Sequence, residues 1–339
     1  MLAREGDLIK HKSGVIFDVK GLIHPEGKVI AFPRYIPDPQ GARHGKDASY
    51  GKVYSLSERF KFLTENLPHL IVFDEVFGDT MCEVPVNEII QHFKPQEKLA
   101  ALRTGEPQNI FEEKALQLAV DLQQESGIPW SAIGISGSIL AGLTTTTSDI
   151  DPLVYGEENC RKAYAAMQRM LKGGHSRFKP YTKEELMNLY EFRSKDTHMS
   201  FEDFQKVENR KAFQGMYQGT DYFVRFVKEW HELKEKYGDV CYINAGYVKI
   251  TAEVNDKSEA LFTPCIYKLQ NVKVIEGPKL SPIQEVSSFR GRFCEQAENG
   301  ETITAQGKAE LVTNKKTGSR YYRLILGGKP EDYMVLGTV

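Results

Sequence analysis

Apolar residues recur along the chain in three regimes. In residues 1–40 they form short runs, Val15-Ile16-Phe17 and Val29-Ile30-Ala31-Phe32, separated by Gly, Pro and His, which predicts short strands. The pattern then predicts a helix over 55–66, a strand over 70–77 and a helix over 85–94. Residues 37–52 are polar, Gly-rich and basic and read as a mobile surface connection; the alternative is a flap over phosphate or nucleic acid, using Arg43, His44 and Lys46. In the second regime Phe111, Ala115, Leu118, Ala119 and Leu122 fall at helical spacing, with Asn109 as cap and Gly127 as stop. A strand over 132–135, a short helical turn over 138–143 and an apolar strand at Leu153-Val154-Tyr155 follow. Helices near 157–172, 182–194 and 200–213 then lead to one buried strand, 222–227.

From about residue 240 strand-like runs dominate, at 247–254, 261–269, 272–275, 286–293, 302–313 and 320–326, with a hairpin turn at Asn314-Lys315-Lys316-Thr317-Gly318. Short strands at this spacing predict a small barrel or sandwich. A chain of 339 residues exceeds one simple core. The expected class is α+β in three regions: an N-terminal α+β domain over 1–102, a central mixed sheet with helices over 103–240, and a β-rich domain over 241–339, with Gly105 and Pro107 marking a linker.

The chemistry concentrates in residues 134–156. Gly137 and Ser138 follow an apolar run, and after the ten residues 139–148 come Asp149 and Asp151 with one residue between them. On an extended chain i and i+2 share a face, so the two carboxylates can jointly hold Mg²⁺, which takes hard oxygen ligands and substrate phosphates. Two such ions about 4 Å apart can clamp the attacking and leaving oxygens of an in-line displacement. Gly137 lets backbone approach a phosphate closely, and Ser138 opens a turn whose N–H groups and hydroxyl can hold phosphate oxygens. Alone, an Asp-x-Asp is an ordinary solvated turn and a Gly-Ser an ordinary loop; the pair at this spacing between two apolar runs points to phosphate chemistry.

These residues resemble the DNA polymerase β-like nucleotidyltransferase superfamily, whose pattern is an apolar residue, Gly, Gly or Ser, a spacer of about ten residues, Asp, an apolar residue, and Asp or Glu. The matching positions are Ser136 (where an apolar residue is commoner), Gly137, Ser138, Asp149, Ile150 and Asp151, and the resemblance covers residues 109–156. The whole chain also looks like a group of uncharacterised prokaryotic predicted nucleotidyltransferases. Pro152 departs from the pattern, because proline cannot donate to a ladder. The resemblance implies a third carboxylate on a later strand. Asp221, at the entrance of the 222–227 strand, ranks above Glu253 for that role, and Arg225 is either the partner of a buried acid or a cation for the triphosphate.

Composition narrows the picture only in places. A net charge of −2 removes the signal of a strongly basic nucleic-acid binder. No apolar run approaches 20 residues, and the N-terminus lacks the basic-then-apolar pattern of a secretion signal. Five scattered cysteines indicate neither a disulfide framework nor structural zinc, so the cytoplasm is the expected location. In 267–339 there are 11 Lys and Arg against 8 Asp and Glu. Arg290 and Arg292 are expected on one strand face, and Lys315, Lys316, Arg320 and Arg323 cluster on the hairpin beside Tyr321 and Tyr322. Basic residues interleaved with aromatics suit single-stranded nucleic acid, though a solvated hairpin has the same composition. The expectation is therefore a Mg²⁺- or Mn²⁺-dependent nucleotidyltransferase that moves a nucleoside monophosphate from a triphosphate to an acceptor hydroxyl, RNA being the first candidate. The alternative is a catalytically impaired nucleotide- or nucleic-acid-binding module.

Overall fold

The structure is a computed structural model and describes residues 1–174 and 176–337. It divides into two compact units, the first comprising 1–72, 81–180 and 212–233, the second 73–80, 181–211 and 234–339. These boundaries cross those of the three regions expected from sequence. Among the described residues no helix is long and apolar enough to cross a membrane.

The chain opens with β1 (Leu8–His11), β2 (Ile16–Val19), β3 (Lys28–Pro37), β4 (Arg43–His44), β5 (Ser49–Lys52), α1 (Leu56–Asn66), β6 (Ile71–Asp74), β7 (Asp79–Pro85) and β8 (Ile89–Phe93). They form one sheet ordered β4-β5-β3-β2-β1-β8, with β7 also on β3 and β6 on β7. Two expectations fail here. Residues 85–94 are not a helix: after a 3-10 turn at Val86–Glu88, β8 pairs antiparallel with β1, Ile9 opposite His92. Val86, Ile89, Ile90 and Phe93 fit a helical period equally well, and a ten-residue segment lets the available sheet edge decide. Nor is 37–52 a mobile connection. It is the β4–β5 hairpin, fixed by Tyr50 in the core and by Arg43, buried, donating to the Leu143 carbonyl at 2.6 Å.

The chain continues through α2 (Pro95–Thr104), α3 (Ile110–Ser126), β9 (Ile133–Ile135), α4 (Gly137–Ala141), β10 (Pro152–Tyr155) and α5 (Glu157–Lys172). Asn109 Oδ1 caps α3 by accepting from the N–H groups of Phe111 and Glu112, and Gly127 ends it at φ +68°. The expected strand 222–227 is two: β13 (Thr220–Phe223) completes a sheet with β11 (Phe178–Lys179) and β12 (Gln214–Tyr217), whereas β14 (Arg225–Val227) lies parallel to β10 in the sheet β14-β10-β9. The break falls at Val224, whose N–H turns to the Phe213 carbonyl at 2.7 Å. Leu8, Ile16, Tyr35 and Tyr50 of the N-terminal sheet share one core with Leu140 and Leu143 around α4. That common core is why most of the first expected region and much of the second form one unit, while 73–80, 181–211 and 234–240 fall in the other.

The second unit holds α6 (Lys183–Arg193), α7 (Phe201–Glu208) and strands β15 (Val240–Glu259), β16 (Cys265–Glu276), β17 (Ile283–Ser288), β18 (Thr302–Asn314), β19 (Arg320–Leu326) and β20 (Tyr333–Leu336). The pairings β15–β16–β17–β19–β18 close because β18 also pairs with β15, giving a five-stranded barrel with β17 and β19 parallel and β20 added to β18. A barrel was one of the two architectures expected. The runs 261–269 and 272–275 are one strand, β16, and β17 stops at Ser288 instead of reaching 293.

Candidate functional site

A short antiparallel hairpin builds the site. Pro152 pairs with Ile135 at the first position of β10, a place where proline costs the ladder nothing. One step further out the Ser136 N–H donates to the Asp151 carbonyl at 2.8 Å. This register sets Asp151 directly against Gly137, which has φ +62°. A β-carbon at 137 would run into Asp151 Oδ2 and stand 2.9 Å from its Cγ, so glycine is required by backbone angle and by space. Ser136, the departure from the usual pattern, spends its hydroxyl on the Gly6 carbonyl at 2.6 Å.

Asp149 and Asp151 precede the strand itself, yet they alternate as strand residues do. Ile150 between them is fully buried and both aspartates are half-exposed, so they share one side. Ile150 forms a parallel bridge with Tyr222: its N–H donates to the Asp221 carbonyl at 2.9 Å, and the Phe223 N–H donates to the Ile150 carbonyl at 3.0 Å. Tyr222 is buried like Ile150, and this register lays Asp221 beside Asp149 on the exposed side. Two residues further, Arg225 of β14 stands opposite Leu153. The structure thus brings Asp149, Asp151, Gly137 and Arg225 together, with Asp221 next to Asp149 along the neighbouring strand.

The N-terminal sheet supplies the rest of the wall. A pocket is lined by Asp18, Arg34 and Tyr35 together with Gly137, Asp151, Phe223 and Arg225. Burial and the neighbouring Asp149 push the Asp151 carboxyl up to about 6, against the pull of Arg225, Lys52 and Arg34. Lys52 is pushed below its ordinary value by burial and by Arg34, with Asp149 and Asp151 working the other way. Burial opposes ionisation of Asp18, but Lys20, Arg225, Arg59 and Arg34 outweigh it and hold that carboxyl well below the carboxylate range. Arg225 is oriented by Glu5, whose Oε1 lies 2.7 Å from its Nη1; Glu5 is itself buried, accepts from the Gly21 N–H at 2.7 Å and faces Lys20. An acidic rim that can take a hard cation therefore adjoins cations that can take a polyanion.

Asp18, Arg34 and Lys52 escaped the sequence reading. The available signal was slight: Asp18 interrupts the apolar run of β2 and has a lysine at i+2, with Asp18 Oδ2 and Lys20 Nζ 2.7 Å apart. Ser138 is in the predicted turn, but it is buried and its hydroxyl donates to Ser148 Oγ at 3.1 Å, which in turn accepts from the Thr145 N–H. It staples the loop 143–148.

Glu253 belongs to the second unit, on β15, where its carboxylate accepts from Gln270 and Asn271. Of the six basic residues expected to meet nucleic acid there, four face acidic partners. Arg292 pairs with Asp196 and donates to Thr197; Arg290 reaches Asp196 Oδ2 at 3.4 Å and the Gly327 carbonyl at 3.2 Å. Neither lies on a strand, because β17 ends first and a 3-10 turn at Gly291–Phe293 follows. Arg323 pairs with Glu310 at 2.9 Å under the ring of Tyr242, and Lys316 pairs with Asp239 at 2.6 Å. Lys315 and Arg320 are exposed on the hairpin.

No family model matches the chain, and no solved structure matches it. The uncharacterized protein MJ1086 of Methanocaldococcus jannaschii is 32% identical over 342 residues, covering 98% of this chain and 98% of that protein. At that identity over nearly the full length of both, the chain belongs to the same family as MJ1086.

Proposed function

We propose that the first unit is a magnesium-dependent nucleotidyltransferase. The carrying observation is that Asp149 and Asp151 flank buried Ile150 on one side, with the Asp151 carboxylate against Gly137. Bound Mg²⁺ would supply charge neutralisation at the transferring phosphoryl group. Asp149 and Asp151 would hold it, and Mn²⁺ would suit the same oxygen donors. Arg34, Lys52 and Arg225 would take the triphosphate oxygens. Asp221, beside Asp149, would accept the acceptor's proton as its oxygen bonds to the α-phosphorus; the bond from that phosphorus to the bridging oxygen breaks and pyrophosphate leaves. An RNA hydroxyl is the favoured acceptor, because small five-stranded barrels like that of the second unit include oligonucleotide-binding folds.

One observation favours a second reading, a binding module without turnover: the Ser138 hydroxyl is turned to Ser148 instead of the pocket. Pyrophosphate release measured over a panel of nucleoside triphosphates and RNA acceptors separates the two. Magnesium-dependent release that disappears in Asp149→Asn supports the enzyme. Triphosphate binding with no release under any condition supports the module.

A further inference from the structure

A second cluster of ligating side chains stands apart from the aspartates. His11 ends β1, His69 sits in the 3-10 turn Pro68–Leu70, and Glu88 ends the 3-10 turn Val86–Glu88. His11 Nε2 lies 2.7 Å from Glu88 Oε2 and His69 Nε2 lies 3.3 Å from the same oxygen, and one donor atom from each residue falls within 4.8 Å of the other two. Donors around a tetrahedral ion bound at about 2.0–2.1 Å are separated by roughly 3.3 Å, so the three need only small side-chain adjustments to enclose one. The backbone is shaped for this. The β1–β8 ladder runs Lys10–Gln91 and then His11–Ile89, leaving Ile90 as the extra residue of a bulge, the kind of irregularity that re-aims a side chain.

The His11 ring is buried, and its Nδ1 is held by Ser13, 2.8 Å from Oγ and accepting from the Ser13 N–H at 3.1 Å, which fixes the direction of Nε2. His69 is half-exposed, which leaves a fourth position open to water. Lys12 Nζ meets Glu88 Oε1 at 2.9 Å, which leaves Oε2 turned to the two imidazoles.

We propose that His11, His69 and Glu88 form a zinc site, with Ser13 holding the His11 ring in place. Two imidazoles and one carboxylate suit Zn²⁺; Mg²⁺ prefers oxygen alone, so this site does not compete for the ion of the aspartate pair. The ion would tie β1 to the turn that precedes β6 and the turn that precedes β8. This inference is independent of the nucleotidyltransferase reading.

Isothermal titration of chelator-treated full-length protein with Zn²⁺ tests it, with the visible absorption of the Co²⁺ form as the geometric readout. The expected result is one ion per chain and a raised Tm, in wild type and equally in the Asp149→Asn, Asp151→Asn double variant. Loss of an outer-shell partner typically costs about 10–100-fold in metal affinity, so loss of a ligand in His69→Ala or Glu88→Gln should cost at least that. His69 is exposed, so its replacement leaves the fold intact, which circular dichroism checks. No stoichiometric binding by wild type, undiminished affinity in His69→Ala, or binding that disappears with the aspartates would overturn the proposal. None of these results bears on magnesium-dependent pyrophosphate release.

Discussion

The Asp151 carboxylate rests on Gly137, its Cγ only 2.9 Å from where a β-carbon on that glycine would stand. The smallest enlargement must therefore displace the carboxylate. Gly137→Ala should destabilise the protein by about 1–3 kcal/mol, through a left-handed φ and local overpacking. It should also abolish pyrophosphate release at any magnesium concentration. Urea unfolding beside the release assay checks both; full activity in the alanine variant would remove the close approach from the mechanism.

The raised carboxyl of Asp151 has a pH signature. Its folded-state value, about 6, lies above the ordinary aspartate value, so the folded protein binds the extra proton between about pH 4 and 6. Ionising Asp151 thus costs stability, and the cost develops as pH rises through that window and is constant above it. Wild type should lose Tm relative to Asp151→Asn between pH 4 and 6. Because the proton competes with the cation, magnesium affinity should rise over the same range. A flat affinity from pH 5 to 7 would contradict the assignment.

Arg225 is held by Glu5, and Glu5 is buried. Arg225→Met should leave that carboxylate with Lys20 at 3.4 Å as its remaining side-chain cation and cost about 1–3 kcal/mol. If Arg225 takes triphosphate oxygens, KM for the nucleotide should rise more than kcat falls. Steady-state kinetics of the variant decide; an unchanged KM would confine Arg225 to a structural role.

On the barrel, the exposed and committed cations should behave differently. Replacing Lys315 and Arg320 with alanine should weaken RNA binding and lower its salt slope by roughly one for each phosphate no longer neutralised. Arg323→Ala should leave Glu310, which is buried, with Lys308 as its remaining cation and destabilise by about 1–3 kcal/mol, with little effect on RNA affinity at low salt. Binding curves and unfolding curves on the same variants separate the two effects. RNA affinity untouched by the double replacement would eliminate the hairpin as an RNA surface.

What could be read from the sequence was local. The Asn109 cap, the Gly127 stop and the 314–318 hairpin are short-range devices, and each is present. The spacing of Gly137 and Asp151 was legible because one antiparallel hairpin brings them together. Asp18, Arg34 and Lys52 were not, because their approach depends on Tyr35 and Tyr50 packing on Leu140 and Leu143 across some hundred residues. Charge counts gave no warning that Arg292 and Arg323 were already paired, since Asp196 and Glu310 reach them through tertiary structure. Residues 85–94 misled for another reason: their apolar spacing suits helix and strand alike, and only the free edge of β1 decided.

The core shared by the N-terminal sheet and α4 has a practical consequence. A fragment beginning at residue 103 would keep both motif aspartates but lose Arg34, Lys52 and the tyrosines on which Leu140 and Leu143 rest. Trimming the chain to its recognisable motif would yield a piece that carries the signature and cannot hold its shape.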